Sequence, residues 1–472
     1  MMQKMIKQLL FLGILLLFSC SNKGKSIIEK INIGTHDNNE LKIQIDVNTN
    51  IEAKVFVEYW PDKIGISGKI ASPISKIGLL HSLVLYNITP ETSYTFQVVT
   101  VIKNANNISK LYNFQSRKLP EWLQKQFKAS YTHPELLPKE FKEGFMLMSK
   151  RETPGVAYII DYNGNIRWYH TVDGTGFKVS RFTEDQSILS ILGKNDEPTS
   201  YGSEILEISI EGDTLTHLKK GQADFMETIH HEIIKKSTNE IVTLFVDEKI
   251  MDLRSIGGKE KDTVFGDGII ILDKKGKKLW KWSVFDVEDP LKDKSLLKTK
   301  KDWGHANSLN YDKDGNFIIS FYNIYNSGQI WKVDSHSGKV IWKLGKGGTI
   351  GMPSDSNFSQ AHAAHINRQG NLMFFDNGVD IKQSSIFALA IDDKAMVAKL
   401  NMHIKLPKEI YNERMGSAYM IDDETVLACS SKKHMTVLVN KDGVLLWTLE
   451  SNIPPYRVQF IPNTKLKPYL LN

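Results

Sequence analysis

The sequence predicts an all-β protein, a six-bladed β-propeller preceded by a small β-sandwich domain. Three observations lead there. An apolar strand following a turn occurs six times, at residues 144–149, 188–192, 240–246, 316–321, 371–376 and 425–430. A tight hairpin whose glycine is followed four residues later by tryptophan recurs between them. A leading stretch of short alternating runs, with little helical periodicity, comes before both.

In chain order, the first element is a leader. Lys4 and Lys7 precede an apolar run over residues 9–18. That run is too short to cross a bilayer comfortably and reads as the core of an export signal. It ends in Leu17-Phe18-Ser19-Cys20, which resembles a bacterial lipobox. The resemblance implies a lipoprotein signal peptide over 1–19, acylation of Cys20, and a polar tether over 20–26. The chain is then a cell-envelope protein, held outside the cytoplasm on a periplasmic or outer-membrane surface by its lipid. An uncleaved anchor or an ordinary secretory leader is the competing reading. No other apolar run is long enough to span a membrane.

Composition agrees with export and with a folded core. The chain has 472 residues, enough for two domains, with 41% hydrophobic and 24% charged residues. Its net charge of +6 falls to +4 without the two leader lysines, and the charge is dispersed. That excludes nucleic acid as an expected partner. Cys20 and Cys429 are the two cysteines; with Cys20 acylated, no intramolecular disulfide forms. Cys429 lies in the apolar strand pattern Val426-Leu427-Ala428-Cys429 and is expected to be a packed thiol, not a nucleophile.

Residues 27–118 alternate apolar and polar side chains in short runs. The stretch from Leu83 through Asn87-Ile88-Thr89-Pro90 to Tyr94-Thr95-Phe96 resembles the corner and following strand of fibronectin type III domains. The resemblance makes Tyr94 a buried corner tyrosine and the domain a spacer or docking module. Residues 119–140 are expected to link the domains, with one short helix over 121–128 and Pro120, Pro134 and Pro138 breaking anything longer.

The propeller is expected over 141–472. The hairpin signature occurs as Gly164 and Trp168, Gly276 and Trp280, Gly338 and Trp342, and Gly443 and Trp447, with a degenerate copy at Gly212 and Thr216. Six units of about 50 residues match a propeller period. Residues 456–462 are expected to supply the innermost strand of blade one and close the ring.

The turn that follows each innermost strand sets a common register for the blades. Asn307 then lies eight residues before Gly315 and His305 ten before it; His362 lies eight before Gly370, and His231 eight before Asn239. Arg414 lies ten before Glu424, and Lys178 eight before Gln186. Side chains two apart on a strand share a face, so these residues should meet at one mouth of the channel. His230 and His365 have the opposite parity and should be packed or exposed. Imidazoles and amides converging with Lys or Arg suit a tetrahedral oxyanion, and a neutral imidazole can attack an electrophile and carry a covalent intermediate. A histidine-bound metal is a competing reading that no close spacing supports; no metal and no cofactor is expected.

The site segments are similar to those of bacterial arylsulfate sulfotransferases. Asp302-Trp303-Gly304-His305-Ala306-Asn307-Ser308 resembles their D-W-x-H-x-N-S motif. Gln360-Ala361-His362-Ala363-Ala364, with Phe375-Asp376-Asn377-Gly378, resembles the segment that holds their nucleophilic histidine, and His230-His231-Glu232-Ile233 resembles H-H-D-I. The resemblance implies transfer of a sulfuryl group from an aryl sulfate to a phenol, without a nucleotide sulfate donor. His362 would become sulfohistidine, with His305, Asn307 and His231 holding oxygens or moving protons. One departure stands out: where the family has S-R-N after the second strand of blade four, this chain has Phe321-Tyr322-Asn323. Tyr322 brings a hydroxyl but no charge, so Arg414 or Lys178 must compensate, or the function has changed. A non-catalytic propeller binding a glycan or a protein at the same mouth therefore stays open, as does homodimerisation.

Overall fold

A computed structural model describes residues 27–36, 39–467, 469 and 470. The leader and Cys20 lie outside the described residues. Two compact units are present, one of residues 44–85 and 93–114 with the preceding strand, the other chiefly of residues 115–472.

The first unit is built on the long strand Asn39–Pro61, which pairs with Ser93–Ile102 and with the short strand Ile70–Ala71. Tyr94 is buried here as expected, its ring stacked on Phe114 at 5.1 Å and near Tyr59 at 6.4 Å.

The second unit is a six-bladed propeller. Blade one comprises Phe145–Lys150, Gly155–Ile160 and Ile166–Val172, and its innermost strand is the C-terminal Gln459–Ile461. The ring is thus closed by pairing the two ends of the propeller sequence, which leaves no open sheet edge at the seam. In blades two to six the innermost strands are Gly176–Phe182, Ile229–Ser237, Ala306–Tyr311, Ala361–Ile366 and Ser417–Met420. Residues 121–128 do not form the expected helix. Glu121–Leu123 is a single 3-10 turn, and Phe127–Tyr131 pairs with Leu445–Ser451 as a fifth, outermost strand of blade six. Pairing with that edge satisfies the Phe127–Tyr131 backbone, which a short isolated helix would not do as well.

The core is a ring of apolar layers, one between each pair of neighbouring blades. Phe317, Ile319 and Phe321 face blade three, whereas Ile318 faces blade five. Leu372 and Phe374 face blade four, and Met373 and Phe375 face blade six. Both faces of these strands are buried, so they read as continuous apolar runs without alternation.

Tryptophans tie the layers together at the rim. The indole N–H of Trp168 donates to the Ile210 carbonyl of blade two at 2.8 Å, and that of Trp447 to Tyr162 of blade one at 2.9 Å. Trp342 reaches Asp393 of blade five at 2.7 Å. In blade three the bridging residue is Trp282, which donates to Gly338 of blade four at 2.9 Å, while the signature residue Trp280 stacks on Phe317.

Candidate active site

Four innermost strands break register with their neighbours at the same place, near the start of the strand. The breaks fall between Phe177 and Val179, His230 and Ile233, Ala306 and Ser308, and His362 and His365. A bulge inserts an unpaired residue and turns the side chains around it. The backbone enters the left-handed region at His231, His305 and Ala363, with φ of 57°, 49° and 54°. Non-glycine residues rarely hold that conformation, and it concentrates at functional sites.

These bulges bring the rings together in a chain. His231 meets His305 at 4.9 Å between centroids, His305 meets Tyr322 at 5.2 Å, and Tyr322 meets His362 at 5.2 Å. His230 joins at the other end, 2.9 Å from His231 between Nδ1 atoms, stacked on Tyr201 at 5.1 Å. Blades three, four and five supply the row.

His362 is 1% exposed. Its Nδ1 lies 2.6 Å from Asn377 Oδ1. The other end of that amide donates to the carbonyls of Asn412 at 2.6 Å and Met415 at 3.0 Å, which only the nitrogen can do. The oxygen therefore faces the ring, Nδ1 carries the proton, and Nε2 keeps its lone pair. Nε2 accepts from the Met415 N–H at 3.2 Å. Burial holds the His362 pKa well below 6.5, assisted by the positive charges of His305 and Arg457.

His305 is held differently. Its Nδ1 lies 2.5 Å from the Asp302 carboxylate, three residues earlier. Burial opposes charge on the ring, but the Asp302 carboxylate outweighs it and raises the pKa above 6.5. Behind it, His230 Nε2 lies 3.4 Å from Asp267, whose buried carboxyl is pushed up to about 7 by burial and by the Asp302 charge. A Cβ on Gly304 would fall 2.0 Å from Asp267 Oδ2, so only glycine admits that carboxyl here. His231 is buried, and burial with the flanking His305, His230 and His362 keeps it neutral.

Farther along the channel lies an ion triad. Arg181 of blade two grips Glu232 of blade three through two bonds of 2.8 Å, and Arg457, beside the closing strand, binds the same carboxylate and the Asn307 carbonyl. Arg181 also donates to the Tyr419 hydroxyl of blade six at 2.8 Å. Burial raises the pKa of Glu232, but the two guanidiniums outweigh it and keep it ionised. Five blades are knit at this level, and the triad leaves one positive charge in excess.

The remaining expected site residues fall as follows. Asn307 is buried on the same strand as the His305 segment; its Nδ2 donates to Ala361 of blade five at 2.9 Å and its Oδ1 has no partner. The Tyr322 hydroxyl donates to the Glu413 carbonyl at 2.7 Å, and burial raises its pKa to about 12. Arg414 extends into solvent, 62% exposed and loosely facing Glu413. Lys178 is buried with Nζ on the Lys194 carbonyl at 2.8 Å, and joins no ring of the row. His365 is packed, its ring 4.9 Å from Tyr419. Cys429 is fully buried and its thiol is pushed up to about 12 by burial. Among the described residues no group of three His, Cys, Asp or Glu is placed to hold a metal ion.

Sequence reasoning did not find Tyr201, Asp267, Arg181, Arg457 or Met415, and it gave Asp302 and Asn377 no role. The signal for Asp267 was its two flanking glycines, Gly266 and Gly268, which mark a close approach of strands.

Together these segments make a polar, imidazole-lined site on a six-bladed propeller. The sequence profile of the arylsulfotransferase (ASST) family matches residues 132–452, and the chain belongs to that family. No curated protein sequence matches the chain. Among solved structures, an exotype rhamnogalacturonan lyase, YesX, is 13% identical, covers 87% of this chain and 73% of its own, and superposes with a TM-score of 0.29. An ulvan lyase of polysaccharide lyase family PL25 is 9% identical, with coverages of 93% and 94% and a TM-score of 0.34. At such scores neither bears on the activity of this chain.

Proposed function

We propose that the propeller transfers a sulfuryl group from an aryl sulfate to a phenol in two displacements at His362. The observation that carries this reading is the lock between Asn377 and His362, which fixes the proton on Nδ1 and presents a neutral lone pair on Nε2. In the first displacement Nε2 bonds to sulfur and the S–O bond to the aryl group breaks. The departing phenolate takes the Nε2 proton of His305, whose positive charge Asp302 sustains. In the second, a new phenol gives its proton back to His305 and attacks sulfur; the N–S bond breaks and neutral His362 returns. Charge on the nonbridging oxygens is met by the field of Arg457 and by donors fixed around the row. The Met415 N–H must leave Nε2 before sulfur can approach it.

Release of p-nitrophenol from p-nitrophenyl sulfate, with and without added phenol, tests the reading. Phenol-dependent release that disappears in His362→Ala is the expected result. Absence of release from folded protein across several aryl sulfates would overturn it and favour a binding propeller. The capped, buried Nε2 and the neutral Tyr322 are the observations that support that second reading.

We also propose that Cys20 anchors the protein by a lipid outside the cytoplasm, on the strength of the lipobox-like segment. Radiolabelled palmitate should mark the protein and fail to mark Cys20→Ser; equal labelling of both would overturn the anchor.

A further inference from the structure

The second strand of each blade ends at the same mouth as the histidines. Counting seven residues on from the turn position that precedes it gives Arg151 in blade one, from Gly144. The same count gives Tyr322 in blade four from Gly315, and Asn377 in blade five from Gly370. Asn377 and Tyr322 both contact His362, so this position of the repeat is one that addresses the reacting ring. Arg151 is thus the counterpart in blade one of the residue that replaces the family arginine in blade four.

Its surroundings are those of a cation without a partner. Arg151 is 6% exposed. The arginines beside the row, Arg181 and Arg457, both bind Glu232; among the described residues no carboxylate is ion-paired with Arg151. Its Nε has no hydrogen-bond partner, and its NH1 contacts a thioether, Met415 Sδ, at 3.2 Å. A thioether is a weak acceptor. The guanidinium stands over the Tyr456 ring at 5.9 Å. Met415 links the group to the chemistry, because its own N–H rests on His362 Nε2. Burial depresses the Arg151 pKa and Arg414 adds to that, while the adjacent Glu152 carboxylate, not ion-paired with it, offsets only part. A guanidinium held this way is stabilised by an incoming anion, and its planar fork matches two oxygens of a sulfate.

We infer that Arg151 is the anion-binding residue for the sulfate ester of the donor, bringing from blade one the charge that Tyr322 does not bring from blade four. This rests on the sulfotransferase reading above, and the test separates the two.

The test is calorimetric titration of p-nitrophenyl sulfate into full-length protein carrying His362→Ala, which binds without turnover, run below the pKa of p-nitrophenol so that p-nitrophenol serves as the uncharged comparator. Adding Arg151→Gln should weaken p-nitrophenyl sulfate by about tenfold or more, as expected for loss of a charge-assisted contact, and leave p-nitrophenol unchanged. Arg151→Lys should recover part of the loss. Arg414→Gln in the same background should change affinity by less than about twofold, as for an exposed charge. Unchanged affinity in Arg151→Gln, or equal loss for both ligands, overturns the role of Arg151 while turnover by the otherwise unaltered protein keeps the sulfotransferase reading. Neither binding nor turnover by protein with Arg151 and His362 intact overturns both.

Discussion

Blades four and five each bring one imidazole to the mouth, and they treat it in opposite ways. His305 meets a carboxylate, is partly open to solvent, and has its pKa raised. His362 meets a carboxamide, is buried, and has its pKa lowered. The two rings are separated by the single ring of Tyr322. Asp302 can stabilise a positive imidazole, whereas Asn377 can fix a tautomer without favouring charge. Under the proposed function, two chemically identical side chains are sorted in this way into a proton carrier and a nucleophile, a division of labour that environment alone can impose.

Exchanging the partners should break this division. Asp302→Asn removes the carboxylate that sustains charge on His305, and burial then pulls the pKa below 6.5. The protonated form is present below that pKa and lost above it, so the alkaline limb of the kcat/KM profile should move to lower pH. At neutral pH the rate should fall by about 10²–10⁴-fold, the usual worth of a general acid. Asn377→Asp should do the converse. A carboxylate raises the His362 pKa, the nucleophile becomes protonated at low pH, and a new acid limb should appear, with kcat/KM recovering as pH rises. A pH profile unchanged in either variant would mean that the partners do not set the roles.

The comparison extends to what lies beside the rings. Glu232→Gln leaves Arg181 and Arg457 without their shared carboxylate and should cost about 3–5 kcal/mol in chemical denaturation. Glu232 has a depressed pKa in the folded state. Its contribution is therefore present above the ordinary glutamate pKa and lost as pH falls through the depressed value, so the gap between the two proteins should narrow in acid. At the rim the effects are smaller. Trp282→Phe removes the bond to Gly338 and should cost about 1 kcal/mol for that bond. Trp280→Phe keeps an aromatic ring on Phe317 and should cost less, which would separate the residue that bridges from the residue that matches the repeat.

That last pair shows how far the sequence could be read. Six blades were legible because the second strand of each blade buries both faces, and turn glycines punctuate them. Closure by residues 456–462 followed from the missing strand of blade one and is present as Gln459–Ile461. The identity of the bridging tryptophan was not legible, since Trp280 and Trp282 share a face of the same strand and only packing against blade four distinguishes them. Counting from the turns placed His231, His305 and His362 at a common level; the rings of His231 and His305 meet, and His362 is reached through Tyr322. Parity also set apart their neighbours His230 and His365, both of which are packed, but the bulge near the start of the His231 strand leaves His230 against the row. His230 was expected to be packed or exposed; it is packed, and it touches His231. Arg181 and Arg457 come from other segments and could be found only once the blades were assembled, and Asp267 was marked only by its flanking glycines. Arg414 and Lys178 matched in register, yet one is in solvent and the other is bound to the Lys194 carbonyl.

The central claim is that His362 carries the sulfuryl group between donor and acceptor. It is tested most directly by mixing the protein with p-nitrophenyl sulfate in the absence of phenol, quenching in alkali, and sequencing the peptides by mass spectrometry. The account predicts a burst of p-nitrophenol matched by one added sulfuryl group on the peptide containing His362, removed by a chase of phenol and absent from His362→Ala. A burst with His362 unmodified, or with the sulfuryl group on His231 or His305, would contradict it.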